Sequence, residues 1–185
     1  PSFFVGQDMA TPPMPSITTE TIALPRLPGD VVWTGSSSQT WDTTEANFRV
    51  PGTSTPVTFL DGDSVRFDDS SALGSISLGA AVNPASVEAD HVNPLTLTGT
   101  GSLNGSAGLE KSGTGSLTVS TAHAFTGGTI LNAGTLTLGN ANALGTGTIT
   151  LRGGTLGTGV LTPPNSIVLE NPATITGGAS GGQHG

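Results

Sequence analysis

The chain has no cysteine and no tyrosine, and Lys111 is its only lysine. Charged residues make up 10% of the chain and aromatics 4%. Each scarcity excludes something. Without cysteine there is no disulfide scaffold, although many secreted bacterial β-proteins also have none. A net charge of −8 disfavours nucleic acid, whose phosphates are neutralised by Lys and Arg. It disfavours anionic membrane surfaces for the same reason. No apolar run approaches the roughly 18 residues needed to span a bilayer, so membrane insertion is not expected. No charged start followed by an apolar core marks a signal peptide. The chain opens at Pro1 in a proline-rich stretch and reads as a piece of a longer protein.

Small polar residues are abundant instead: 28 Gly, 29 Thr and 19 Ser. Leu, Ile and Val recur among them at regular intervals. β-Branched and aliphatic residues spaced in this way fit a pleated surface. Disordered chains tend to be rich in charge and poor in apolar residues, unlike this one.

Four regions follow. Residues 1–28 hold six of the 13 prolines and read as an extended linker, or a segment lying along the domain. Residues 29–70 contain both tryptophans, half of the phenylalanines and over half of the acidic residues. They read as an N-terminal cap with short strands at 30–34, 57–60 and 64–67, separated by turn signals. Residues 71–176 repeat. Residues 177–185 read as a glycine-rich linker.

The repeat is explicit. Leu95, Leu117, Leu136 and Leu156 each open an apolar-polar alternation, at intervals of 22, 19 and 20 residues. A second short strand follows about a dozen residues later, at Leu109, Ile130, Ile149 and Ile167. A period near 20 with two strands and a corner fits a β-solenoid coil. Dense Gly and Thr exclude a helical repeat, and a propeller blade needs about twice the length. The fold expected is all-β, a parallel β-helix of about five to seven short coils, roughly 25–35 Å long at the usual strand spacing. The two apolar columns are expected inside. Outside lies a hydroxyl ladder of Thr96, Thr98, Thr118, Ser120 and Thr137. The second strand is expected to show Glu110, Leu131, Thr150 and Val168. A bare Leu131/Val168 column needs a cover, either the N-terminal Ile22, Leu24 and Leu27 or a second subunit. The cap protects one end, whereas nothing at the C-terminal end resembles a cap.

The stretches Gly108-Leu-Glu-Lys-Ser-Gly-Thr-Gly-Ser-Leu-Thr-Val119, Phe125-Thr-Gly-Gly-Thr-Ile-Leu-Asn-Ala-Gly-Thr-Leu-Thr-Leu-Gly139 and Ala143-Leu-Gly-Thr-Gly-Thr-Ile-Thr-Leu-Arg-Gly-Gly154 resemble the autotransporter-associated β-strand repeat. Upstream, Trp33-Thr-Gly35, Trp41-Asp42, Asn47-Phe48 and Gly62-Asp-Ser-Val-Arg-Phe-Asp68 resemble the segment that often precedes such repeats. The resemblance covers about two thirds of the chain. It implies a right-handed parallel β-helix and an extracellular location, secreted or at the cell surface. The family serves as stalk, as adhesive surface and as module beside polysaccharide-degrading enzymes. No membrane barrel accompanies the repeats, so the chain alone is not expected to be a complete autotransporter.

An enzyme is not expected. β-Helical lyases need a basic residue for proton abstraction, usually with calcium, and β-helical hydrolases need clustered carboxylates. After Lys111 the only charged residues are Arg152 and Glu170. The main expectation is a carbohydrate-binding module that targets an attached enzyme, such as a xylanase, to a plant cell-wall polysaccharide (xylan or a related β-glycan). The alternative is a structural or adhesive passenger segment. Candidate glycan contacts are Thr96, Thr98, Thr118, Ser120 and Thr137, the pair Glu110 and Arg152, and the stacking platforms Trp33 and Trp41. Packing in the cap is the preferred reading of the tryptophans. No cofactor is expected. Asp61, Asp63, Asp68 and Asp69 are the one calcium candidate, with a polar turn as the preferred reading. His91 and His123 lack metal-ligand spacing and are expected at loops or corners. The partners expected are a polysaccharide, neighbouring domains of a larger chain and, through Leu131 and Val168, a second subunit.

Overall fold

The computed structural model describes residues 24–71 and 74–177. These contain strands and turns and no helix. Strands β1 (Asp30–Trp33), β5 (Ser64–Phe67), β8 (Ser86–Asp90), β11 (Leu109–Ser112), β13 (Thr129–Leu131), β15 (Ile149–Leu151) and β17 (Ile167–Leu169) stack in parallel in one sheet. Strands β2 (Thr40–Trp41), β6 (Ser75–Leu78), β9 (Leu95–Gly99), β12 (Ser116–Val119), β14 (Thr135–Leu138), β16 (Thr155–Gly159) and β18 (Thr174–Gly177) stack in parallel in a second. A short corner pair joins β7 (Ala81–Val82) to β10 (Ser102–Leu103). The chain alternates between the two large sheets, which makes a parallel β-solenoid. The cap strands belong to the same sheets, so the cap is the first part of the solenoid.

Among the described residues, antiparallel strands finish the N-terminal end alone. There β3 (Phe48–Arg49) and β4 (Pro56–Val57) extend the first sheet beyond β1. Beneath them five rings interlock. Trp41 packs edge-on to Phe48, Phe59 and Phe67 at 5.8, 5.5 and 5.6 Å, and Trp33 meets Phe48 at 5.1 Å. Such edge-to-face pairs add to the energy of burial.

Alternation explains the rest of the core. Leu95, Leu117, Leu136 and Leu156 stand in register as expected, and all are buried. Thr96, Thr118 and Thr137 align outward beside them. Single apolar residues fill the corners, Leu103, Phe125 and Leu144 among them.

One expected column is corrected. Leu109 pairs with Thr129, and Thr129 with Ile149. Thr129 and Leu131 therefore face inward, while Ile130 faces out opposite Glu110 and Thr150. A one-residue slip moves every side chain of a strand to the other face. Here Gly128, at φ +83° and with its carbonyl accepting the Leu109 N–H at 3.0 Å, ends the corner one residue early. Leu131 then lies in the inner column between Lys111 and Leu151. Val168 lies outward beside Thr150 as expected, but Leu131 does not join it, and Leu24 and Leu27, 85% and 79% exposed, cover no Leu131/Val168 face. Ile22 lies outside the described residues.

The slip leaves the Thr129 hydroxyl buried with no partner. A buried hydroxyl without a hydrogen bond carries a desolvation penalty. Thr129→Val keeps the shape and is expected to raise unfolding stability by about 1 kcal/mol. Urea titration checks this, and an unchanged or lowered midpoint would contradict it.

Candidate functional site

The candidate glycan contacts fall in three separate places. Thr96, Thr98, Thr118, Ser120 and Thr137 lie on the outer face of the second sheet. There Thr98 also donates to the Ile76 carbonyl at 3.3 Å. The ladder is interrupted below Thr137, because β16 pairs Gly157 with it before Thr176 resumes the row. Glu110 and Arg152 lie on the first sheet and are both engaged. Asn132 donates to Glu110 at 2.6 Å, and Arg152 donates to Glu170 at 2.6 Å. These contacts are exposed and contribute little to stability.

Trp33 and Trp41 are fully buried in the ring cluster. Their rings have no surface to offer a sugar, which corrects their placement among the glycan contacts. The cap burial preferred for them is what the structure shows.

The four aspartates serve different turns. Asp61 accepts from the Asn83 backbone N–H at 2.8 Å and from its side chain at 3.0 Å. Asp63 is buried against Arg26 at 2.6 Å and accepts from the Gly29 and Leu60 amides. Asp68 accepts from Ser70 N–H, and Asp69 from Val92 N–H and Asn93. Strand β5 separates the first two from the last two. Among the described residues, no group of three or more His, Cys, Asp or Glu side chains converges as metal ligands would.

Both described histidines are buried at corners. His123 Nδ1 accepts the Leu103 N–H at 3.1 Å, and its Nε2 lies 3.3 Å from Thr121 Oγ1. Burial pushes His123 down to about 4. The ring is thus neutral in the fold, with Nδ1 as acceptor. This has a pH consequence. An unfolded histidine protonates near 6.5, so the contribution of His123 is complete above that pH. It is lost as pH falls from about 6.5 toward 4, by roughly 3 kcal/mol in all. His123→Gln is expected to flatten the stability profile over that window, by the slope belonging to one proton. Equilibrium unfolding at stepped pH measures it, and an identical acid slope in the variant would refute the assignment.

Lys111 is the functional-type residue that sequence reading did not place. It stands in the inner column between Ala89 and Leu131, fully buried. Its ammonium donates to the carbonyls of Ser112 and Gly113, the latter at 3.0 Å. Burial is the main force pushing its pKa down; Asp90 and Asp69 pull weakly the other way. Lys111 does not line the groove of about 240 Å³ that runs along Glu88, Glu110, Gly127 and Ile130.

The match to known families falls within this geometry. Residues 109–138 match the model of the passenger-associated-transport-repeat. The match begins at the first residue of β11 and ends at the last of β14. It therefore spans the strands of two consecutive coils in the middle of the solenoid. No curated protein and no solved structure matches the chain. Among the described residues no helix is long and apolar enough to cross a membrane.

Proposed function

We propose that the chain is a non-catalytic, passenger-type β-helical segment, exported from the cell, whose work is to hold neighbouring parts of a larger protein apart or to present them. The observation that carries this is the repeat match whose ends coincide with the strands of two consecutive coils. It is supported by the charged side chains from Glu110 onward. Glu110, Arg152 and Glu170 are tied to structural partners, and Lys111 is sealed in the core. The carboxylates of Glu110 and Glu170 engage Asn132 and Arg152, not each other.

Glycan binding is the competing use. It has lost its aromatic platforms and rests on the hydroxyl ladder alone. Affinity electrophoresis against xylan and other plant β-glycans separates the two. The spacer reading expects no retardation in any gel. Retardation by one glycan, abolished by Thr118→Glu with Thr137→Glu, would replace it with the binding-module reading. A second arm tests export. Fused between an export signal and a membrane barrel, the chain is expected at the cell surface as a segment resistant to added protease. Failure of that fusion to reach the surface, with a control passenger exported, would also overturn the proposal.

A further inference from the structure

On the outer face of the first sheet, Glu88 and Glu110 stand directly opposite each other, with Ile130 on the next coil. Like charges placed opposite one another on neighbouring strands destabilise a sheet. The cations nearby are committed elsewhere. Arg66, opposite Glu88, turns its guanidinium to Asp90 at 2.9 Å and stays 3.8 Å from Glu88. Arg152 feels the Glu110 charge but is bound to Glu170 at 2.6 Å. Between the two glutamates and Ile130 the face is hollow. The groove of about 240 Å³ runs there over Gly108, Gly127 and Gly128. The fold dictates two of these glycines. Gly128 has φ +83°, and a Cβ on Gly127 would collide with the Ala107 carbonyl. Gly108 is different. Its φ is not in the left-handed region, and a Cβ would meet nothing closer than the Gly127 carbonyl oxygen at 3.5 Å. The backbone therefore accepts a side chain at 108, and that side chain would stand in the groove. A second groove of about 310 Å³ shares Ser86 and Glu88 with the first and continues past Ser64 to Pro51.

We propose that the groove receives a lysine side chain from an extended basic segment of a partner protein. Its ammonium lies between Glu88 and Glu110, and its stem lies along Ile130. This goes beyond the spacer reading and does not depend on it. The chemistry selects a cation on an aliphatic stem. Lysine lays its methylenes on apolar surface and keeps its ammonium in a polar setting. Its three donors serve two separate carboxylates, whereas the planar arginine fork suits one. A metal ion fits poorly, because among the described residues no three acidic or histidine side chains converge. The first groove is smaller than the roughly 300–1,000 Å³ of ordinary ligand sites, which suits one side chain reaching in from a longer segment. Together the grooves cross the strands from β1 to β13. At the usual strand spacing that is about 20 Å, the length of about six extended residues. A second copy of the chain is disfavoured by its net charge of −8.

The probe is the blocked peptide Gly-Ala-Lys-Ala-Lys-Gly, titrated into the full chain and followed by amide resonances. Binding in the millimolar range or tighter is expected, with the largest shifts at Gly108, Glu110 and Ile130. The same peptide with norleucine for both lysines keeps an aliphatic stem without the ammonium and is expected not to bind. Glu88→Gln and Glu110→Gln are each expected to weaken binding about threefold and the double variant about tenfold, as exposed ion pairs do. Glu45→Gln removes the same charge in the cap and is expected to change nothing. Gly108→Val fills the groove and is expected to abolish binding with thermal unfolding unchanged. Should that variant fail to fold, Ile130→Ala takes its place and is expected to weaken binding by removing the apolar wall. No binding at millimolar peptide overturns the proposal. So does equal weakening by Glu45→Gln, which would mean diffuse attraction to an acidic surface. So too does binding indifferent to a filled groove or to loss of Ile130.

Discussion

Asp63→Ala is expected to lower unfolding stability by about 3 kcal/mol, near the lower end of the range for breaking a buried ion pair. Asp63 is completely buried, while Arg26 is 22% exposed, so the loss falls mainly on the groups the carboxylate serves. Those are the Arg26 guanidinium, held at 2.8 and 2.6 Å, and the amides of Gly29 and Leu60, held at 2.9 and 2.8 Å. One carboxylate thereby fastens the entering chain to the turn before β5. Burial pushes its pKa up, but Arg26 and the two amides outweigh burial and hold it below the usual carboxylate range. Its contribution is therefore complete above pH 4 and is lost as pH falls through the lowered value. Arg26→Ala is expected to cost less, because the two amide bonds remain. Urea titrations of both single variants and the double variant measure the coupling. Equal losses for the two single variants would contradict this ranking.

The second large effect has the opposite sign. Lys111→Met is expected to raise stability by about 1–4 kcal/mol. Burial lowers the pKa of Lys111, so its charged form carries a penalty that is present in full at low pH. Stability then rises as pH climbs toward the ordinary lysine value of about 10.4. Methionine fills the same space between Ala89 and Leu131 without an ammonium. What is lost is donation to the carbonyls of Ser112 and Gly113, but both residues are partly exposed and water can replace the donor. The Lys111 charge also lowers the pKa of His91, after burial itself and against its contact with Asn93. In the variant, His91 is expected to titrate higher. Thermal unfolding and the His91 proton resonances check the two parts, and a lower melting temperature with unmoved His91 would refute them.

The inner column of the second sheet was legible because Leu95-Thr-Leu97, Leu117-Thr-Val119 and Leu136-Thr-Leu138 permit only one phase of alternation. Strand β13 permits two. Thr129-Ile130-Leu131 has apolar residues in both phases, and corner length, set by Gly128, decides between them. Burial of Lys111 goes against the usual exposure of lysine. What permits it is a carbonyl pair inside the next turn, visible only once the corner is folded. Asp63 was recognisable as a turn residue. Its partner Arg26 lies 37 positions away in a stretch that reads as linker, and no local pattern connects them. The tryptophans show the same limit. An indole near a turn suits either a platform or a core, and the ring contacts across β1, β2 and β3 settle it.

Every coil touches only the coils before and after it, apart from the finished N-terminal end. Stability in such a stack is a sum of neighbour terms. The rings of Trp33, Trp41, Phe48, Phe59 and Phe67 add their energy to one end of the described solenoid. Under a pulling force or in denaturant, the described coils are therefore expected to come away before the ring cluster does. The repeats are nearly interchangeable along the axis, yet the molecule has a direction in which it comes apart.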